Sequence, residues 1–74
     1  MNDYIINVAQ IEELQILRDR EGLEQIFNRA RSAIVNGAKA VLVRQGRATP
    51  AEKFDEFSTL PDLQAYRKHV FKYL

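Results

Sequence analysis

Apolar residues fall most plainly on one helical face between Leu23 and Ile34, where Leu23, Ile26, Phe27, Ala30 and Ile34 recur at three- and four-residue steps. That spacing predicts an amphipathic helix, and Asn36-Gly37 supplies the left-handed residue that ends it. Upstream, Asn7 stands before Val8-Ala9-Gln10 as an N-cap with Gln at the third helical position. A first helix is therefore predicted from about Val8 to Arg20, with Gly22 as its stop or kink. This helix has no single apolar stripe. Ile11 and Leu14 lie together, Leu17 is further round, and Val8, Ala9 and Ile16 point to another side. The Tyr4-Ile5-Ile6 run ahead of it fits either a short strand or an extended lead-in.

Beyond the second helix the pattern changes. Ala40-Val41-Leu42-Val43 is a short, β-branched apolar run between Lys39 and Arg44, and it reads as a strand covered on both faces or lying centrally. Its backbone needs a partner. Lys53–Ser58 is the next candidate, reached through residues 46–51, and would complete an antiparallel hairpin with a longish loop. A competing signal is present. Thr49-Pro50-Ala51-Glu52 is also a good helix start, and Phe54 and Phe57 are spaced for one helical face. The need of the first strand for a neighbour favours the hairpin; under the helical alternative, Tyr4-Ile5-Ile6 would have to pair with it. Ser58 or Thr59 then caps a last helix, with Pro61 in its first turn, Asp62 near its positive end, and a stripe of Leu63, Tyr66, Val70 and Leu74.

The expected fold is one small α+β domain over residues 1–74: two N-terminal helices, an antiparallel β-hairpin and a C-terminal helix, in the order ααββα. Its expected core comprises Leu14, Leu23, Ile26, Phe27, Ala30, Ile34, Val41, Val43, Leu63, Tyr66 and Val70. An apolar fraction of 46% and a charged fraction of 28% suit an ordinary folded domain rather than a disordered chain. The residues before Asn7 contain no basic, apolar leader pattern, and no run reaches the roughly 20 apolar residues of a membrane span, so a cytoplasmic protein without membrane attachment is expected.

Chemistry is constrained by what the chain contains. It has no cysteine, which excludes disulfides, thiolate metal sites and cysteine nucleophiles. His69 is the one imidazole, with Lys68 and Lys72 close by, so no metal site is expected. Gly22, Gly37 and Gly46 are too dispersed for a phosphate-cradling loop, and no nucleophile elbow surrounds any of Ser32, Ser58, Thr49 or Thr59. Neither catalysis nor a cofactor is expected.

Two binding readings remain. Charge is unevenly distributed: residues 1–28 carry two basic and six acidic side chains, for −4, and residues 29–54 carry six basic and one acidic, for +5. Such a split can steer an oriented or head-to-tail encounter. Arg29, Arg31, Lys39, Arg44, Arg47 and Lys53 are the candidates for nucleic-acid contact, although Arg29 and Arg31 lie about 160° apart around their helix. No aromatic platform is interleaved with them. A protein partner, with a homodimer as the leading form, has more specific candidates. Ile16, with Leu17 or Val8, is left over on a helix that a small domain covers on one side only, and Phe71 and Tyr73 flank the apolar stripe of the last helix. The outer strand of a hairpin would offer an edge for pairing across a two-fold axis. A non-catalytic protein–protein interaction or accessory module is the expected function, with accessory nucleic-acid binding as the alternative.

Overall fold

The computed structural model describes residues 3–44, 52–72 and 74. Six elements follow one another: β1 (Tyr4–Asn7), α1 (Val8–Leu17), α2 (Arg20–Val35), β2 (Ala40–Arg44), β3 (Glu52–Phe57) and α3 (Leu60–Phe71). The α+β class holds, but the sheet is not a two-stranded hairpin. Tyr4–Asn7 form a strand that runs parallel to β2, with Ile5 beside Val41 and Ile6 beside Leu42. β3 pairs antiparallel on the other side of β2, giving the order β1-β2-β3. Two helices thus form the crossover between the parallel strands, as a parallel connection requires.

Asn7 ends β1 and caps α1 at once: its Oδ1 accepts the Ala9 N–H at 2.9 Å. The helix stops at Leu17, earlier than its pattern suggests, because Arg18 turns left-handed at φ 54°. A non-glycine residue there costs about 1 kcal/mol. The Arg18 and Asp19 amides donate to the Gln15 and Leu14 carbonyls, satisfying two of the last four carbonyls of α1. Asp19 caps α2 by accepting the Gly22 N–H at 2.9 Å. Gly22 is therefore inside the first turn of α2 rather than a stop. A Cβ there would sit 2.8 Å from Asp19 Oδ2 and 3.2 Å from Leu14 Cδ2, so the cap and the corner pack against a bare Cα. Gly37 has φ 87° and ends α2 as its sequence suggests. Thr59 caps α3 by accepting the Asp62 N–H.

All three helices cover one face of the sheet. Ile6, Ala40, Leu42 and Phe57 turn toward them and join Val8, Ile11, Leu23, Ile26, Phe27, Ala30, Leu63 and Val70 in one core. Ala30 and Ala40 are fully buried, and their small side chains let α2 lie close to the central strand. Of the expected core, Leu14, Ile34 and Tyr66 are only partly buried against it. Val43 and Val41 point to the other face of the sheet, alternating with Leu42. That face carries no helix among the described residues. Val41 is nevertheless buried, lying between Ile5 and Glu56 in neighbouring strands.

Candidate functional site

The outer sheet face carries a small cluster of charge. Glu56 lies opposite Val41, and its carboxylate meets Lys53 Nζ at 2.9 Å and Lys39 Nζ at 3.7 Å. The hydrogen bond from Lys53 holds the Glu56 carboxyl below the ordinary carboxylate value against an opposing effect of desolvation, with Lys39 adding to the lowering. A lowered folded-state pKa means that the interaction favours folding above the ordinary value of 4.5 and is lost as pH falls through the lowered one. In a carboxyl-carbon NMR titration the Glu56 midpoint should rise toward 4.5 in Lys53→Ala and rise by less in Lys39→Ala. Equal midpoints in the wild type and both variants would refute this assignment.

The remaining basic candidates go elsewhere. Arg44, at the end of β2, pairs with Glu12 of α1 at 3.1 Å. Arg31 borders a cleft between α2 and α3, and Arg29 is exposed on a different flank of α2. Arg47 lies outside the described residues. The fold does not collect the described cations into one surface. Lys39 and Lys53 share a carboxylate on the open sheet face, Arg44 is paired at the strand end, and Arg31 is on the helical layer.

The apolar candidates separate as clearly. Val8 is 7% exposed and belongs to the core, which removes it from any interface. Phe71 is only partly buried, but its ring is occupied. The Phe27 ring lies 5.9 Å away, and the Arg20 and Arg67 guanidiniums sit over the Phe71 ring at 5.3 and 4.6 Å. Tyr73 lies outside the described residues. Among the described candidates Ile16 and Leu17 remain free, at 82% and 65% exposed.

Their setting follows from the helix geometry. The core side of α1 is centred on Ile11, with Val8 and Leu14 beside it, and Gln15 next to them donates its amide to the Val70 carbonyl of α3 at 3.1 Å. At 100° per residue, Glu13 projects nearly opposite Ile11, and Ile16 and Leu17 fall on either side of it. The outer face of α1 is thus an acidic residue straddled by two large aliphatic ones. Glu21, in the first turn of α2, adds a second carboxylate at the same corner. Neither Glu13 nor Glu21 makes an ion pair among the described residues.

Two clefts in the helical layer were not foreseen from sequence. The first, between α2 and α3, has Phe27 and Leu63 as its floor and Asn28, Arg31, Gln64 and Arg67 as its walls, and encloses about 210 Å3. Each helix contributes an amide and an arginine three residues apart, which places both on one flank. Arg67 is steadied by Glu24 at 3.4 Å and by its stack on Phe71, whereas Arg31 has no ion-pair partner among the described residues. The second cleft has Val8, Ile11 and Val70 beneath Phe54, Tyr66, His69 and the Arg44–Glu12 pair. Phe54 is 63% exposed at its mouth, and burial pushes the Tyr66 phenol above its ordinary pKa.

Comparison of the chain with protein-family models, curated proteins and solved structures finds no match. No helix among the described residues is long and apolar enough to cross a membrane.

Proposed function

We propose that this chain is a non-catalytic interaction module that associates with itself through the outer face of α1. The observation that carries the reading is the exposure of Ile16 and Leu17, at 82% and 65%, on a helix whose other side already supplies Val8 and Ile11 to the core. Scattered single aliphatics are ordinary on a protein surface. Two successive ones on the outside of a helix that is also apolar within make a helix suited to cover on both sides.

The β3 edge of the sheet is a weaker site for association. β3 carries Glu52, Lys53, Asp55 and Glu56 among its six residues, and charges of this density disfavour edge-to-edge pairing. A nucleic-acid partner is less well supported than a protein. Such binding draws on several cations facing one backbone, and here Lys39, Lys53 and Arg44 each face a carboxylate.

The test is the solution mass by light scattering on a size-exclusion column across a dilution series. The wild type is expected to exceed the monomer mass of 8.6 kDa at high concentration, and Ile16→Glu to remain monomeric with an unchanged circular dichroism spectrum. A wild type that is monomeric at every concentration would remove self-association. An Ile16→Glu variant that assembles as the wild type does would remove the outer face of α1 as the site of association.

A further inference from the structure

Resting on that reading, we infer that the acidic, apolar corner of one copy docks into the α2–α3 cleft of another, so that association is head-to-tail. The corner presents Glu13 and Glu21 around Ile16 and Leu17. The cleft presents what such a corner lacks: the guanidiniums of Arg31 and Arg67 and the amides of Asn28 and Gln64, all hydrogen-bond donors, above an apolar floor. One turn beyond Arg31 on the same flank of α2, Val35 is 64% exposed and offers an aliphatic surface to Ile16 or Leu17. Glu13 and Glu21 at the corner and Arg31 in the cleft make no ion pair among the described residues, whereas Arg67 already meets Glu24, so Arg31 is the cation left to receive a carboxylate of another copy.

The two surfaces are not one patch. Glu21 and Arg31 are ten residues apart along α2, which is about 15 Å of helix at 1.5 Å per residue. A contact between two such different surfaces is heterologous. It leaves a free corner at one end and a free cleft at the other, and closes only as a ring.

This arrangement is tested by complementation. Ile16→Glu disables the corner and leaves the cleft; Arg31→Glu disables the cleft and leaves the corner. Each variant alone should be monomeric by light scattering, and an equimolar mixture should form a one-to-one dimer that grows no further. Wild-type assembly should weaken at least tenfold between about 0.05 and 0.5 M salt, since exposed charges are screened over about 10 Å at 0.1 M and less above it. Arg31→Gln, which keeps the side chain polar, should also be monomeric, and Arg29→Gln should assemble normally. If the wild type assembles and Ile16→Glu does not, but the mixture stays monomeric, the cleft is not the acceptor and the two-copy contact joins corner to corner. An Arg31→Glu variant that assembles as well as the wild type overturns the cleft in the same way. A wild type that is monomeric throughout overturns self-association and the head-to-tail contact with it.

Discussion

Leu42→Asp is expected to leave no cooperatively folded protein at 25 °C. Leu42 is 1% exposed at the centre of β2, the strand that pairs on both sides, with Ile6 beside it in β1 and Asp55 beside it in β3. Truncating a buried leucine costs about 2–5 kcal/mol. The new carboxylate adds the penalty of a buried, unpaired charge, several kcal/mol unless it takes up a proton, and Asp55 across the ladder repels it. Small domains have about 5–15 kcal/mol of stability, and short chains tend to the lower end. The loss is therefore comparable to the whole. Leu42→Ile, which keeps the volume, should cost less than about 1.5 kcal/mol and serves as the control. Amide dispersion in a proton–nitrogen NMR spectrum and a urea titration decide the matter. A Leu42→Asp protein with a cooperative transition near the wild-type midpoint would mean that the central strand is not buried as described.

The sequence pattern reveals the helical layer more fully than the sheet, because helices are encoded by near neighbours. The Leu23–Ile34 stripe, the Asn7 and Thr59 caps and the Gly37 ending all rest on residues within a turn or two of one another. The break between the first two helices is the exception. Its left-handed residue is Arg18, which carries no sequence signal for that conformation, while the nearby Gly22 does and lies inside a helix instead. β1 is harder still. It is four residues long, and its pairing of Tyr4 with Ala40 spans two helices, so nothing local distinguishes it from an extended lead-in.

β3 shows how an irregularity can imitate a different period. The register shifts between Leu42 and Val43, which pair with Asp55 and Lys53 and leave Phe54 as the extra residue. Phe54 then borders the cleft over Val8 and Val70 while Phe57 is in the core, so a three-residue spacing that suits a helix serves a bulged strand. The candidate site divides along the same line. The unassigned aliphatics Ile16 and Leu17 are legible because a helix with apolar residues all round has more of them than one side can use. Val8, taken for the same surplus, is buried, because the wheel alone does not say which side the sheet will take. Pairings such as Lys39 and Lys53 on Glu56, or Arg44 on Glu12, depend on strand register and helix placement, and no sequence spacing encodes them.

Phe27→Ala should be the most damaging truncation in the helical layer, lowering stability by about 3–5 kcal/mol. The ring is 3% exposed where the α2 and α3 stripes meet, with the Tyr66 ring at 5.8 Å and the Phe71 ring at 5.9 Å. Tyr66 in turn stacks on Phe57 of β3 at 5.3 Å, so Phe27 is connected through one ring to the sheet and through another to the end of α3. Removing it opens a cavity that neither Leu63 nor Ala30 can fill from a fixed backbone. It also takes the inner neighbour from Phe71, on which Arg67 stacks, and thereby loosens one wall of the α2–α3 cleft. Two readouts separate these effects. Urea unfolding gives the stability, and the Phe27→Ala, Phe71→Ala double-mutant cycle should show a coupling of about 0.5–1.5 kcal/mol for the ring pair. Assembly of the fraction that remains folded should be weaker than in the wild type, because Arg67 is no longer held against Phe71. Were Phe27→Ala to unfold within 1 kcal/mol of the wild type, α3 would have to be held by something other than this ring cluster.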